Sequence, residues 1–188
     1  MSERTKSELR AFYRKARADF TAKLSDRERM IAFSSAPTAL SDHFIAGRTV
    51  SAYIPVGSEA DPRGLLGIAQ AAGCKTALPF VTSRASPMQF LNWSVGDPLH
   101  AGPFGLMQPD DNAERCEPDI VLTPLVAFDH SLMRLGQGAG HYDRALSLLD
   151  RAFVVGIAWS IQEASHLPAD PWDIPLNAVL TEKTWIAR

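Results

Sequence analysis

The segment from Arg134 to Arg144 carries the residue types and the spacing best suited to chemistry. Glycine stands at every second position, at 136, 138 and 140, and glycine lets backbone N–H groups approach an anion closely. Arg134 adds a fixed positive charge, and a helix predicted to begin after the glycines adds the partial positive charge of its N-terminus. The pattern predicts a site for an anion or for the phosphates of a nucleotide.

The spacing of these glycines differs from two common phosphate-binding motifs. The Rossmann pattern G-x-G-x-x-G has its third glycine where this chain has His141, and the Gly-Lys-Ser/Thr ending of a P-loop is absent. A tight turn between a strand and a helix, with no ligand, explains the same glycines equally well. The residues alone leave both interpretations open.

Asp143 follows in the first turn of the predicted helix. A carboxylate there either ligates magnesium beside bound phosphates or only complements the helix dipole. The second interpretation is favoured for Asp143 alone, and a neighbouring phosphate loop favours the first.

Basic residues share one face of the first predicted helix, because they recur at intervals of four, four and three residues: Lys6, Arg10, Arg14 and Arg17. A solvated surface face is the usual explanation of such a run. The alternative is that Lys6 and Arg10 reach phosphates held by the glycine segment, which sequence alone cannot establish.

A third candidate segment, 53–61, follows a predicted strand and precedes a predicted helix. Ligands of open α/β sheets bind at the carboxyl ends of strands. The Glu59 carboxylate can accept two parallel hydrogen bonds from an N–H-rich heterocycle. The alternative is a loop that only starts the helix, with Asp61 as its N-cap. Both interpretations hold together if Asp61 caps the helix and Glu59 stays free.

The elements that must position these segments alternate along the chain. Helices are predicted over 3–24, 37–46, 63–72 and 140–151, and the capping box of Ser25 and Glu28 predicts the start of one more helix after the first. Strands are predicted over 49–56, 76–81, 88–93, 120–128, 152–159 and 178–181. Several strands are almost continuously apolar, which is typical of strands covered on both faces. We therefore expect an α/β fold with a partly parallel sheet and helices on both sides.

Two stretches, 96–105 and 167–175, are predicted loops of the length that often carries function. We interpret Trp159, Trp172 and Trp185 as core residues or pocket wall. No internal repeat or domain boundary is visible, so residues 1–188 are expected to form a single domain.

Composition excludes several classes of protein. Of 188 residues, 46% are hydrophobic and 21% charged, which excludes a disordered chain, a collagen-like chain or a disulfide scaffold. The net charge of −2 does not indicate a general nucleic-acid or membrane-surface binder. The two cysteines form no CxxC pair, and the charged N-terminus does not resemble a signal peptide, so we expect a cytoplasmic protein.

The chain resembles the 5-formyltetrahydrofolate cyclo-ligase family, also called 5,10-methenyltetrahydrofolate synthetases. The most specific match is R-L-G-x-G-x-G-x-Y-D-R over 134–144. The others follow in order over nearly the whole length: Lys6-x-x-Leu9-Arg10-x-x-x-Arg14, Tyr53-x-Pro55 with Glu59, Leu78-Pro79, Gly105-x-x-x-Pro109, Pro124-x-Val126-Ala-Phe128-Asp129, Gly156-x-Ala158 with Gln162, and Val179-x-Thr181-Glu182.

The resemblance implies a three-layer α/β/α sandwich with a mostly parallel sheet, of the kind shared with sugar isomerases and CoA transferases. It implies a ring-forming carbon–nitrogen ligase of folate one-carbon metabolism that uses ATP and Mg²⁺. Its substrate would be 5-formyltetrahydrofolate, and its products 5,10-methenyltetrahydrofolate, ADP and phosphate. It also implies a monomer without a nucleic-acid or membrane partner.

The resemblance further implies a role for each matching residue. The catalytic residues would be Arg134 and Tyr142, and Asp143 would ligate the metal. ATP would be bound by Lys6, Arg10, Arg134, Leu135, Gly136, Gln137, Gly138, Ala139, Gly140, His141 and Tyr142. The folate substrate would be bound by Ile54, Glu59, Gln137, Gly138, Ala139, Gly140 and His141.

Some positions depart from the common family pattern. Gln137 and Ala139 occupy variable loop positions that are often bulky, basic or glycine, and His141 stands where Phe or Tyr is usual. Asn177 falls where some members have a second acidic magnesium ligand, and Gln108 where a glutamate is frequent. A relative with the same fold that binds nucleotide or folate but acts on another substrate is the alternative. An RNA-associated relative is disfavoured by the near-neutral charge.

Overall fold

A computed structural model describes residues 4–187 and has a mixed sheet at its centre. The strands of this sheet are β1 (Thr49–Ser51), β2 (Lys75–Phe80), β3 (Gln89–Asn92), β6 (Arg115–Cys116), β7 (Ile120–Pro124), β10 (Phe153–Ile157), β12 (Ala178–Leu180) and β13 (Trp185–Ala187). Their order across the sheet is β13-β12-β10-β7-β1-β2-β3-β6. The central strands, from β12 to β2, pair in parallel, and the outer strands β13, β3 and β6 pair antiparallel.

The helices are α1 (Lys6–Thr21), α2 (Asp26–Ile31), α3 (Thr38–Ser41), α4 (Arg63–Ala71) and α5 (His141–Leu146).

Two smaller sheets complete the fold. The strands β11 (Glu163–Ala164), β8 (Ala127–Asp129) and β9 (Arg134–Leu135) form one, and β4 (His100–Ala101) and β5 (Met107–Gln108) form the other. Helix α1 packs on the first of these through Leu9, which meets Leu135 and Leu167 in an apolar cluster. This contact fixes α1 beside the segment that precedes the glycines.

The alternation of side chains along the central strands divides the core into two layers. Ile120 and Leu122 of β7 belong to one apolar cluster, whereas Val121 between them belongs to the other. Leu65 and Leu66 of α4 cover the first face, and Leu146 of α5 covers the second. The predicted three-layer α/β/α arrangement is therefore confirmed. Within residues 4–187, no helix has the length and apolar character needed to cross a bilayer.

The long strand predicted over 120–128 is in fact broken. Strand β7 ends at Pro124, whose ring nitrogen cannot donate to a neighbouring strand, and β8 begins again at Ala127 in the small sheet. The Gln162 side-chain amide donates to the carbonyls of Leu125 and Val126, at 2.8 and 3.0 Å, and so satisfies the backbone freed by the break.

Several predicted elements are shorter than expected. Helix α1 begins at Lys6 behind a Thr5 capping box that the prediction missed, and the predicted first residue, Glu3, lies outside the described residues. The helix predicted over 37–46 ends at Ser41 and continues only as turns. The helix predicted over 140–151 ends at Leu146, where the Ser147 hydroxyl donates to the carbonyl of Arg144 and competes with helical pairing.

The start of α4 also corrects the prediction. Its N-cap is Pro62, and Asp61 lies one residue earlier, where it pairs with the Arg63 side chain and accepts the Arg63 N–H at 3.0 Å. The strand predicted over 49–56 ends at Ser51. The residues that follow, up to Ala60, form a loop that the Tyr53 hydroxyl ties together by donating to the Ala60 carbonyl at 2.7 Å.

Gly156 in the middle of β10 offers a direct test of core packing. A Cβ at this position would lie 2.6 Å from Leu125 Cδ2 and 2.7 Å from Leu176 Cδ1. We expect Gly156→Ala to destabilise the protein by about 1–3 kcal/mol, measured by urea denaturation, because the packed core must shift. The control is Gly67→Ala in α4, where a Cβ meets nothing within 4 Å and helix propensity predicts a gain of about 0.5–1 kcal/mol. Equal stability of the two variants would contradict this packing.

Candidate active site

A cavity of about 630 Å³ opens at the carboxyl ends of β1, β2 and β7. Its walls include Ile54 after β1, Pro79 at the end of β2 and Pro124 at the end of β7. Strand β1 lies between β2 and β7, so the chain crosses over in opposite directions on its two sides. Such a switch point is where open α/β sheets bind ligands, and the volume suits a small-molecule site.

Every residue that the sequence assigned to a site lies on this cavity. They are Lys6, Arg10, Ile54, Glu59, Arg134, Leu135, Gly136, Gln137, Gly138, Ala139, Gly140, His141, Tyr142 and Asp143. They come from α1, from the loop after β1, and from the continuous segment that includes β9, the glycines and the first turn of α5. The structure thus places these residues together, and their individual roles remain predictions.

The basic face of α1 forms one wall and contacts the glycine segment directly. Arg10 Nε donates to the carbonyl of Gly136 at 2.9 Å. Arg14 donates from Nε to Gln137 Oε1 at 2.9 Å and from Nη2 to the Gln137 carbonyl at 3.0 Å. The interpretation of this face as merely solvated is therefore wrong, because it is turned toward the cavity.

The glycine segment needs glycine because of its backbone conformation. Gly138 and Gly140 have φ angles of 102° and 67°, in the left-handed region that other residues rarely adopt. Gly138 also lies directly beside Arg10, since a Cβ there would lie 3.4 Å from Arg10 Cζ. The helix that follows has only six residues. Its dipole is therefore a smaller source of positive charge than the arginines.

Arg134 and Tyr142 carry buried polar atoms without a partner. The Arg134 side chain is 3% exposed, and its Nη2 donates to Asp143 Oδ1. Among the residues described, Arg134 Nε and the Tyr142 hydroxyl have no hydrogen-bond partner. Burial raises the pKa of Tyr142 well above its usual value, so the hydroxyl stays protonated. Buried donors are rarely left unpaired, and these two are suited to oxygen atoms of a ligand.

Glu59 lies beside Arg17, toward the end of α1 that is opposite to Lys6, and its carboxylate has three neighbours. Its Oε2 accepts the Val56 N–H at 3.0 Å, and its Oε1 accepts from Gln137 Nε2 at 3.1 Å. Nη1 of Arg17, itself almost buried, lies 3.8 Å from Oε1. The prediction that Glu59 is free is therefore wrong, and the carboxylate is instead fixed on the cavity wall.

Magnesium prefers oxygen ligands and is usually held by one or two carboxylates together with substrate phosphates and water. Asp143 provides one carboxylate on the cavity wall, with a side chain that is 26% exposed. No group of three or more His, Cys, Asp or Glu residues within the described range is arranged to hold a metal. The donor set therefore fits an ion that arrives with nucleotide phosphates.

Part of the cavity wall comes from loops that the sequence analysis did not assign to the site. Asp170, Trp172 and Asp173 come from the loop predicted over 167–175, and Arg84 comes from the loop after β2. Lys6 Nζ donates to Asp170 Oδ2 at 2.6 Å and to Asp173 Oδ2 at 2.5 Å. Burial lowers the pKa of Lys6, but these two hydrogen bonds outweigh it and the net shift is upward. For Asp170 and Asp173 the only sequence signal was the length of the loop, whereas the interpretation of Trp172 as pocket wall is confirmed.

Two of the unusual family positions have structural contacts. Asn177 Oδ1 accepts the Val154 N–H at 2.7 Å and so links the segment before β12 to β10. Gln108 is buried, and its Oε1 accepts the Val81 N–H at 3.3 Å. Neither residue lines the cavity, so the structure gives Asn177 no part in binding a ligand there.

His141 gives a test of charge in the cavity. Partial burial lowers the pKa of His141, and the neighbouring Arg144 and Arg84 lower it further. Arg144 Nη2 lies 3.2 Å from His141 Nδ1. Removal of this positive charge favours the protonated ring, so Arg144→Gln is expected to raise the pKa of His141, measured by NMR titration of the imidazole. An unchanged pKa beside a control variant, Arg115→Gln, would contradict the contact.

Comparisons with known proteins agree with this geometry. The family model described as "5-formyltetrahydrofolate cyclo-ligase family" matches residues 2–182. The chain is 35% identical to the 5-formyltetrahydrofolate cyclo-ligase of Mycolicibacterium smegmatis, with 99% of this chain and 98% of the relative covered. It is 33% identical to the enzyme of that name from Escherichia coli, over 75% of this chain and 82% of the relative.

Solved structures give the same result. The 5,10-methenyltetrahydrofolate synthetase of Aquifex aeolicus matches with a TM-score of 0.78 and 30% identity, over 97% of this chain and 92% of that one. The synthetase of Mycoplasma pneumoniae has the same fold, with a TM-score of 0.73 at 24% identity, over 95% and 99% of the two chains. The matches in sequence and in structure extend over almost the whole molecule, and the chain belongs to the 5-formyltetrahydrofolate cyclo-ligase family.

Proposed function

We propose that the chain converts 5-formyltetrahydrofolate and ATP to 5,10-methenyltetrahydrofolate, ADP and phosphate. The observation that carries the proposal is the division of one cavity into two chemical ends along α1. Lys6, Arg10 and Arg134 lie at one end, where Lys6 is paired with Asp170 and Asp173 and Arg134 with Asp143. The fixed carboxylate of Glu59 lies at the other end. A nucleotide triphosphate suits the first end, and the N–H groups of a pterin suit the second.

The chemistry requires such a site because the formyl oxygen is a poor leaving group. The formyl oxygen attacks the γ-phosphorus of ATP, and the bond between that phosphorus and the β,γ-bridging oxygen breaks to release ADP. N10 then attacks the activated formyl carbon, N10 loses its proton, and the carbon–oxygen bond breaks to release phosphate. The enzyme must hold N10 against the carbon and offset charge on the phosphoryl group. It needs no strong base for this.

The chain's own residues suit those tasks. Arg134, through its unpaired Nε, would bind the transferring phosphoryl group, and Tyr142 would donate its buried hydroxyl to a neighbouring oxygen. Lys6, Arg10 and the backbone from Leu135 to Gly140 would bind the rest of the triphosphate. Ile54 and Glu59 would bind the pterin, and the segment from Gln137 to His141 would contact both substrates.

Asp143 is the residue that would hold Mg²⁺ together with the phosphates. When bound, the ion would neutralise phosphate charge and favour attack on the γ-phosphorus. Asp143 also anchors Arg134, so the same carboxylate would position the guanidinium.

The test is a spectrophotometric assay of the purified chain with 5-formyltetrahydrofolate, which follows the absorbance of the conjugated methenyl product. We expect an increase that requires ATP and stops when magnesium is chelated. Restoration by added Mg²⁺ after chelation is the control. No increase, with ATP binding still measurable by calorimetry, would instead favour the relative of the same fold that acts on another substrate.

We further propose that residues 1–188 function as one cytoplasmic domain and as a monomer, without a nucleic-acid partner. The near-neutral charge and the free thiols of Cys74 and Cys116 support this proposal. Light scattering at working concentration tests the monomer, and a dimer mass would contradict it.

A further inference from the structure

The loop that carries Trp172 is tied to the basic end of α1. Asp173 N donates to the Asp170 carbonyl at 3.0 Å, and Asp170 N donates to Asp173 Oδ2 at 2.8 Å, so residues 170–173 form a closed turn. Both carboxylates of this turn accept from Lys6 Nζ. Trp172 occupies the third position of the turn, and its place beside Lys6 is therefore set by hydrogen bonds.

The Trp172 side chain differs in its surroundings from Trp93 and Trp159. Trp172 is 67% exposed and lines the cavity. Trp93 and Trp159 are buried, and their indole N–H groups donate to backbone carbonyls at 3.2 and 3.1 Å. Within residues 4–187, the indole of Trp172 makes no ring contact and no hydrogen bond. An aromatic face is thus available beside the basic end of the cavity.

Helix α1 runs along the cavity, so its rise per residue gives the separation of the two ends. From the Trp172 turn the helix passes Lys6, then Arg10 beside Gly136, then Arg14 beside Gln137, and finally Arg17 beside Glu59. At 1.5 Å per residue, the Lys6 and Arg17 positions are separated by about 16 Å along the helix axis. A pterin ring held by Glu59 is too short to cover this separation. The face of Trp172, where it is used, therefore takes another flat group, which is either the base of the nucleotide or the aminobenzoyl ring of the folate.

We propose that Trp172 is the platform on which the purine base of the nucleotide stacks. The inference rests on the proposed ATP-dependent reaction. The γ-phosphate must lie near the folate, so the base at the other end of the triphosphate lies away from Glu59, toward Lys6 and the turn. Every nucleobase presents a π-face, and a purine covers the most indole surface. Trp172 therefore selects for a nucleotide base, whereas Lys6 and Arg10 recognise only phosphate.

The experiment compares ATP with inorganic triphosphate, which has no base. Stacking of a base on an aromatic side chain predicts that Trp172→Ala weakens ATP binding about tenfold or more, measured by calorimetry. The affinity for inorganic triphosphate should be unchanged in the same variant. In the activity assay, KM for ATP should rise, while KM for 5-formyltetrahydrofolate and kcat at saturating ATP change little.

Two further variants keep the test decisive. Trp172→Phe retains an aromatic face and should restore most of the ATP affinity. Leu148→Ala replaces an exposed apolar residue outside this cavity and should leave the affinities for ATP and for inorganic triphosphate unchanged. An equal loss of affinity for ATP and for inorganic triphosphate in Trp172→Ala would show that the substitution acts through Lys6, and it would overturn the proposal. An unchanged affinity for ATP would overturn it as well. Absence of ATP-dependent turnover in the unmodified enzyme would instead contradict the proposed function itself.

Discussion

Replacement of Arg134 by alanine is expected to reduce kcat/KM by about a thousandfold or more while the protein still folds. Arg134 is the cation most completely removed from water in the cavity, with a side chain only 3% exposed. Its buried Nε has no partner among the described residues and is the donor best placed for a charged oxygen. A preorganised donor of this kind is worth far more in a water-excluded site than on the surface. Steady-state kinetics with both substrates measure the loss.

Arg134→Lys separates charge from geometry. Lysine keeps the positive charge but not the planar fork that binds Asp143 and still leaves Nε for a ligand, so we expect only partial recovery of the rate. Arg63→Ala removes an arginine that is ion-paired and 54% exposed away from the cavity, and it should leave the rate unchanged. Circular dichroism and thermal unfolding establish that each variant folds. Full activity of folded Arg134→Ala would remove the assignment of the phosphate loop.

The local parts of this site could be predicted from sequence because short-range rules control them. The glycines of the 136–140 segment indicated backbone that approaches an anion, and Gly138 and Gly140 do adopt positive φ. The helical period placed Lys6, Arg10, Arg14 and Arg17 on one face. Whether that face met solvent or the cavity was not predictable, since it depends on packing of Leu9 against the small sheet.

Contacts between distant parts of the chain could not be predicted. Lys6 binds Asp170 and Asp173, which are 164 and 167 residues away, and the loop that carries them has no hydrophobic period. The break after Pro124 was missed for a similar reason. Apolar character continues through 125–128, and the freed carbonyls are satisfied by Gln162 and Arg17, which are distant in sequence. A single sequence contains no signal for such pairings.

Replacement of Glu59 by glutamine is expected to raise KM for 5-formyltetrahydrofolate by about tenfold or more and to change KM for ATP much less. The carboxylate is held by Val56 N–H and Gln137, and the amide removes the charge that strengthens hydrogen bonds to the N–H groups of a pterin. Glutamine keeps the volume of the side chain, whereas alanine would also leave a gap beside the buried Arg17; both variants remove the charge that faces Arg17. Initial rates with each substrate varied in turn measure the two constants.

The control for this prediction is Glu163→Gln. Glu163 lies outside the cavity, and its carboxylate contacts the His130 ring. It should alter neither constant. An equal rise in KM for both substrates in Glu59→Gln would argue against a pterin role and for a general loss of cavity structure.

Arg17 positions Glu59, because it contacts the carboxylate from the buried side. Its Nη1 also donates to the Leu125 carbonyl at 3.3 Å, and its Nε donates to Ser58 Oγ at 3.1 Å, so the guanidinium is fixed before any ligand binds. Arg17→Met should therefore raise KM for folate selectively. Since it acts through Glu59, the effects of Arg17→Met and Glu59→Gln should not add in the double variant. Additive effects would mean that the two side chains act independently, and that Glu59 recognises the pterin without its buried partner.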